Sequence, residues 1–254
     1  SLVCKKIRGK LRVYVHITIE GLSKPKQDRF GNFKHSRGSG IVGCDIGTQT
    51  IAYTTETKAG LKNLAERGSS IEVNERKERL IYRAMDRSRR AMNPDNYNED
   101  GTIKKGKKKW TYSNRYKKLR MKHTELCRIN ATNRHLAINE DVNELRSLGD
   151  VFVTEPKNAK KLQKRAKTGK RKKRFGRSIK NRCPGYFQSQ AKRKFRIYVE
   201  VPNNYKASQY DHTSDTYIKK SLSQRMYKLQ DGTMVQRDLY SSFLLYCIDL
   251  NTNK

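Results

Sequence analysis

An apolar run that contains a single carboxylate is the feature that most constrains this chain. Residues Ile41 to Ile46 are uncharged except for Asp45, and Gly47 follows. Such a run predicts a buried strand, and the glycine lets another backbone or a phosphate come close. A carboxylate on such a strand needs a positive partner, and a divalent metal ion that faces a nucleic-acid phosphate is the natural one.

The charge balance indicates what surrounds this carboxylate. The 254 residues include 58 Lys and Arg but only 24 Asp and Glu, and the formal net charge is +34. So large an excess repels itself in a compact fold unless a polyanion shares the space, which favours a nucleic-acid partner. No apolar run approaches the roughly 20 residues of a membrane-spanning helix, and no signal-peptide pattern opens the chain. We therefore expect no membrane partner.

Metal-ligand spacing is missing among the cysteines and histidines. The five cysteines are scattered singly, without a C-x-x-C pair, so spacing indicates neither a zinc site nor a disulfide framework. Reduced thiols in the cytosol are the expectation. The five histidines are predicted to be structural or exposed, and they are His16, His35, His123, His135 and His212.

Hydrophobic periodicity predicts an α/β protein. Alternation over Lys10 to Glu20 predicts a half-buried strand, followed by a basic polar loop over residues 21–40. Strands at Gly40 to Asp45 and Thr50 to Thr57 are expected to form an antiparallel hairpin. Helical spacing over Ser69 to Met92 and Ser113 to Leu148 predicts a helical hairpin inserted into the domain.

Two further carboxylates occupy comparable positions in the second half. Glu155 ends the apolar run that starts at Val151, and Asp238 opens the last predicted helix. A strand at Phe195 to Val201 lies between them. Two Mg²⁺ ions bridged by Asp45, Glu155 and Asp238 would activate a water and stabilise the leaving oxygen of a phosphodiester. Each carboxylate also has a plainer interpretation, as a turn residue or a helix cap.

The order of these motifs resembles a known nuclease family. A strand with Asp-x-Gly, a helical insertion, a strand ending in Glu-Pro and the final segment Gln236 to Ser242 are similar to the split RuvC domain of the TnpB (OrfB) proteins, relatives of the type V CRISPR effectors. The resemblance implies a ribonuclease-H-like mixed sheet and an RNA-guided, Mg²⁺-dependent DNA endonuclease. Mn²⁺ is an alternative metal. The partners it implies are a guide RNA and a target DNA.

The resemblance assigns roles to individual residues. Asp45, Glu155 and Asp238 match the metal-binding acidic residues, and Arg225 matches a phosphate-facing arginine in the family's Leu-Ser-x-Arg motif; a solvated arginine is the alternative. Between Lys157 and Arg182 the chain has 14 basic residues and no acidic one, which indicates phosphate contacts. The predicted nucleic-acid-binding residues in this basic tract are Lys160, Lys161, Lys164, Arg165, Lys170, Arg171, Lys172, Lys173, Arg174 and Arg177.

Two departures from the family define the expected domains. The lobe at about 205–235 contains no cysteine, so the family's zinc ribbon and its zinc are not expected. Residues 1–40 supply only a strand and a basic loop, a remnant of the family's N-terminal wedge-like region, before a RuvC-like domain at 41–254 with its helical insertion at about 69–148. A missing recognition region or a second chain is therefore a possible further partner.

Two rival functions remain open. A nuclease-inactive RNA-guided DNA-binding protein would share the fold and the charge. An actin/Hsp70-like ATPase would share the Asp45-to-Thr48 phosphate loop, but it would need a second glycine-rich loop that this sequence does not supply. The expected location is the cytoplasm of a bacterium, in association with the nucleoid.

Overall fold

The chain divides into two compact units. The computed structural model describes residues 1–7, 9–20, 24–64, 69–158, 176–202, 205–221 and 223–248, with the backbone alone at 69–73 and 176–178. Unit 1 comprises Ser1–Glu20 and Ser69–Asn133, and unit 2 comprises Gly21–Gly68 and Arg134–Lys254. We describe each unit by itself.

The N-terminal strands of unit 1 form a two-stranded antiparallel hairpin. Strand β1 spans Leu2–Ile7 and pairs with β2 over Lys10–Val15. All six residues of β2 are exposed, so the predicted half-burial is wrong. The pattern expected one strand before the basic loop, and the structure has two.

Two long helices make up the rest of unit 1. Helix α1 spans Ser69–Met92, and α2 spans Asn114–Leu148 and continues into unit 2. Two polar contacts of 2.8 Å join them, one between Asn74 and Asn130 and one between Ser88 and Ser113. Because the earlier residue of α1 meets the later residue of α2, the helices run antiparallel. The predicted helical hairpin is confirmed.

A five-stranded mixed sheet forms the centre of unit 2, and the predicted α/β class is confirmed. Its strands are β3 (Ile41–Ile46), β4 (Thr50–Thr54), β5 (Ala59–Asn63), β6 (Val151–Thr154) and β7 (Ile197–Glu200). The order is β5-β4-β3-β6-β7. Strands β3, β4 and β5 pair antiparallel, whereas β6 is parallel to both β3 and β7. The predicted strand Thr50 to Thr57 is shorter than expected, and β5 was not predicted.

Helices cover both faces of this sheet. The three helices are α3 (Gly176–Arg182), α4 (Pro184–Lys194) and α5 (Arg237–Tyr246). On one face Phe152 packs against Phe187 of α4 and Val142 of α2. On the other face Val153 packs against Leu244 of α5. Both faces of β6 are therefore buried, as its apolar sequence predicts.

The cysteine-free lobe at about 205–235 consists of two small antiparallel hairpins. They are formed by β8 (Tyr210–Asp211) with β9 (Thr216–Tyr217) and by β10 (Met226–Lys228) with β11 (Met234–Gln236). The buried Asp211 carboxylate accepts hydrogen bonds from the backbone N–H groups of Thr213 and Gln230, which ties the hairpins together. In the described part of the chain, no helix has the length and apolar character needed to cross a membrane.

Candidate functional site

Strand β3 presents Asp45 on the face of the sheet that α5 covers. Val42, Cys44 and Ile46 point into the core on the opposite face and are essentially inaccessible. Alternation along the strand therefore places Gly43 and Asp45 on the α5 face. The Asp45 side chain keeps 14% of its surface exposed, so a solute can reach it.

Strand β6 brings Glu155 beside Asp45. The two strands are parallel, with Cys44 opposite Thr154, so one further step of the register places Asp45 opposite Glu155. The backbone N–H of Ala207 donates to Oε1 of Glu155 at 3.1 Å and orients the carboxylate. The two carboxylates thus lie at the carboxyl ends of adjacent parallel strands, where ligands of open α/β sheets commonly bind.

Helix α5 supplies Asp238 in its first turn. The N-cap of this helix is Gln236, whose side chain accepts from the Leu239 N–H at 2.6 Å, so the alternative in which Asp238 is the cap is wrong. The Asp238 carboxylate instead accepts from Arg225 at 3.2 Å and from Arg237 at 3.0 Å. Because Gln236 satisfies the helix end, the Asp238 side chain is directed toward charged groups.

Contacts with β4 fix the direction of α5 across the sheet. Thr50 Oγ1 donates to Asp238 Oδ2 at 3.4 Å, and the hydroxyls of Thr54 and Ser242 lie 2.8 Å apart. The helix therefore runs parallel to β4 and antiparallel to β3, with its first turn at the end of β3 that carries Asp45.

Close packing at Gly43 holds this arrangement. A Cβ atom on Gly43 would collide with the backbone of Ser242 and Tyr246. The small residues Ser241 and Ser242 had suggested room for a ligand on the face of Asp238. Both are instead buried against the sheet, so they allow a close helix approach and leave no cavity there.

The three predicted acidic residues therefore converge on one edge of the sheet. No protein-family model matches this chain, and no curated protein matches its sequence significantly. What the site does must be argued from its own residues. Arg225, the fourth predicted catalytic residue, also reaches this edge through its ion pair with Asp238, and its side chain is 56% exposed.

Cationic groups of the chain itself take up the charge of two of these carboxylates. The Lys157 ammonium bonds to Oδ1 of Asp45 and donates to the Ile46 carbonyl at 2.5 Å. The guanidinium of Arg237, 15% exposed, bonds to Oδ1 of Asp238 through Nε and Nη2. Lys157 and Arg237 were not assigned to the site from sequence. Their positions two residues after Glu155 and directly before Asp238 are the only signal that could have identified them.

Electrostatics mark Glu155 as the strained member of the set. Burial raises the pKa of the Glu155 carboxyl above its ordinary value, and the neighbouring negative charge of Asp45 raises it further. Lys157 and the N–H of Ala207 act in the opposite direction without cancelling the shift. A cluster of buried like charges of this kind is stabilised by an additional cation.

The basic tract begins and ends at the same edge of the sheet. Its first residue, Lys157, bonds to Asp45, and its last, Arg182, donates to the Thr48 carbonyl at 3.3 Å. Residues 159–175 between them lie outside the described part, and of Arg177 only the helical backbone is described. The predicted binding residues outside the described part are Lys160, Lys161, Lys164, Arg165, Lys170, Arg171, Lys172, Lys173 and Arg174.

Proposed function

We propose that this chain is a RuvC-type endodeoxyribonuclease that resembles the TnpB proteins and is guided by RNA. The observation that carries the proposal is the convergence of Asp45, Glu155 and Asp238, which lie 110 and 83 residues apart in the sequence, at one edge of a mixed sheet. Turn or cap roles explain none of the three, because Asp45 lies within a strand and Gln236 caps α5. The mixed sheet is compatible with the ribonuclease-H-like fold that the resemblance implies.

The donor chemistry of the site fits Mg²⁺ or Mn²⁺. Asp45, Glu155 and Asp238 offer only carboxylate oxygens, which these hard cations prefer. The raised pKa of Glu155 reflects a local excess of negative charge that a divalent ion would relieve. When bound, such ions polarise a phosphodiester and lower the pKa of a water molecule, and Asp45, Glu155 and Asp238 would hold them.

The remaining residues of the site suit a phosphate substrate. Arg225 is the more exposed arginine on Asp238, and its guanidinium is placed to hold a phosphate beside the carboxylates. Lys157 and Arg182 bring both ends of the basic tract to the same edge, so a strand bound along the tract is led toward the carboxylates. The net charge of +34 gives this binding a strong, salt-dependent component.

The proposed partners are a guide RNA, a target DNA, and a recognition region or second chain that supplies target selection. The proposed location is the bacterial cytoplasm at the nucleoid, where those nucleic acids are found. These assignments rest on the TnpB resemblance together with the charge of the chain.

One observation favours a second candidate, a nuclease-inactive RNA-guided DNA-binding protein. The Lys157 ammonium occupies a position at Asp45 that a metal ion would need. In an active enzyme the divalent ion must displace this ammonium. In an inactive protein the ion pair would persist, and the carboxylates would serve only the structure.

Cleavage by point variants separates the two candidates. The full chain is purified with its bound RNA, which is sequenced to define a complementary DNA substrate. Asp45→Ala and Glu155→Ala should each abolish Mg²⁺-dependent cleavage and leave RNA affinity nearly unchanged, because both side chains bind the metal and not the guide. Asp95→Ala, at an exposed carboxylate of unit 1, is the matched control and should cleave normally. Equal cleavage by Asp45→Ala and the wild type would refute the nuclease assignment, and absence of a defined RNA would refute the guided mechanism.

A further inference from the structure

A group of three different metal-binding side chains lies in the helical hairpin of unit 1, away from the carboxylate site. Glu78 comes from α1, and His123 and Cys127 come from α2. The last two are four residues apart, so they share one face of the helix. Sequence spacing could not reveal the group, because its third member is 45 residues earlier on another helix.

The donor atoms form a triangle of the right size for a tetrahedral ion. Nε2 of His123 lies 3.4 Å from Oε1 of Glu78. The Cys127 Sγ lies 3.8 Å from each of these two atoms. With bonds of about 2.0–2.1 Å to nitrogen and oxygen and about 2.3 Å to sulfur, the edges of a tetrahedral zinc site are about 3.3–3.6 Å. The three atoms need to move only by tenths of an ångström to ligate one ion.

The surrounding structure holds these donors in place. The ring of Tyr82 packs edge-on against the His123 ring, with centroids 5.6 Å apart. The contacts of Asn74 with Asn130 and of Ser88 with Ser113 lie on either side of the group along the hairpin and fix the register of the helices. All three donors are partly buried, so they are shielded from bulk water and still accessible to an ion.

The combination of donors selects the class of metal. A thiolate and an imidazole favour Zn²⁺ and similar late first-row ions over Mg²⁺ or Ca²⁺, which prefer oxygen. Three protein ligands leave the fourth tetrahedral position to a water molecule. An ion pair between Glu78 and His123 alone would not require a sulfur atom at equal distance from both.

We propose that Glu78, His123 and Cys127 bind one Zn²⁺ ion, which joins α1 to α2. As the sulfur–metal bond forms, the Cys127 thiol releases its proton to solvent, and no atom changes oxidation state. The proposal is independent of the nuclease assignment, because the two sites use different residues and different metals. It also revises the sequence-based expectation of no zinc, which was drawn from the lobe at about 205–235.

Cobalt spectroscopy on the full chain tests the proposal. After removal of metal with a chelator, Co²⁺ should bind at one equivalent, with a sulfur-to-cobalt charge-transfer band and the intense visible bands of four-coordinate cobalt. Zn²⁺ should erase these bands, whereas a large excess of Mg²⁺ should leave them. Zn²⁺ should also raise the thermal midpoint of unfolding, because it binds the folded hairpin and not the separated helices.

Substitutions identify the ligands. Cys127→Ser should remove the charge-transfer band, and His123→Asn and Glu78→Gln should each weaken Co²⁺ binding by about tenfold or more. Cys4→Ser, at an exposed thiol on β1, is the matched control and should behave as the wild type. Far-ultraviolet circular dichroism establishes that each variant retains its helices. The proposal is overturned if the wild type shows no thiolate band or if the band survives Cys127→Ser.

Discussion

Substituting Gly43 by alanine should dismantle the carboxylate site without touching a carboxylate. Gly43 lies on β3 two residues before Asp45, where α5 crosses the sheet. An added Cβ would collide with the backbone of Ser242 and would lie 2.7 Å from the Cα of Tyr246. Neither neighbour can rotate away, because both are backbone groups within a helix.

The size of the effect follows from this contact. Carbon atoms pack best about 3.5–4.0 Å apart, so α5 must move away from β3 by about 1 Å. Overpacking of this kind typically costs about 1–3 kcal/mol of the free energy of unfolding. Asp238 moves with the helix, and a misplacement of about 1 Å in a catalytic group costs about 100-fold in rate.

The assay combines urea denaturation with single-turnover cleavage. Gly149→Ala is the matched control, because its Cβ would lie 2.6 Å from the Gly40 carbonyl oxygen and would also overpack the sheet. Gly149 precedes β6 and lies about 20 Å from Glu155 along an extended chain, so its substitution should lower stability alone. Gly43→Ala should lower both stability and the cleavage rate.

A Gly43→Ala variant with the wild-type cleavage rate would refute this reasoning. That result would mean that the position of α5 over β3 does not determine the site. A rate loss of the same size in Gly149→Ala would also contradict it, because general destabilisation would then explain both variants.

Three further predictions concern charged residues. Lys157→Ala should strengthen Mn²⁺ binding several-fold in a calorimetric titration, since the ammonium no longer competes for Asp45; weaker binding would count against competition. Burial lowers the pKa of Lys194 to about 8 from 10.5, so the unfolded chain binds more protons between these values and stability should rise with pH across that window. In urea denaturation Lys194→Met should lose this rise and the exposed Lys192→Met should keep it. Replacing the basic residues of Lys170–Arg174 with glutamine should flatten the salt dependence of RNA affinity by up to about 0.7 per lost phosphate contact; an unchanged slope would exclude these contacts.

Elements with strong periodicity could be predicted from the sequence. The buried strands around Asp45 and before Glu155 lie within a residue or two of their predicted bounds, because apolar runs between turn residues have few alternatives. The helices at 69–92 and 114–148 were also found, since their length makes helical spacing unambiguous.

Short elements with mixed composition could not be predicted. Strand β5 contains a glycine and a lysine among its five residues, so its pattern resembles a turn, and only pairing with β4 makes it a strand. Helix α4 begins with Pro184 and Gly185, a dipeptide typical of turns, although Phe187 and Ala191 anchor it in the core.

The site was predicted in its acidic residues and not in its cationic ones. Asp45, Glu155 and Asp238 stand out because each carboxylate occupies an apolar or helix-opening context. Lys157 is one of 14 basic residues in its tract, and nothing local distinguishes it from the others. Its contact with Asp45 depends on the parallel pairing of β3 with β6, which is a property of the folded chain.

Mn²⁺ binding measured by electron paramagnetic resonance tests the central claim most directly. The full chain is first given one equivalent of Zn²⁺ to fill the proposed thiolate site, and unbound Mn²⁺ is then measured as Mn²⁺ is titrated in. Asp45→Asn, Glu155→Gln and Asp238→Asn should each weaken binding by about tenfold or more, whereas the control Asp95→Asn should bind as the wild type does. Equal Mn²⁺ affinity in the wild type and the three site variants would contradict the account, because the carboxylates would then not form a metal site.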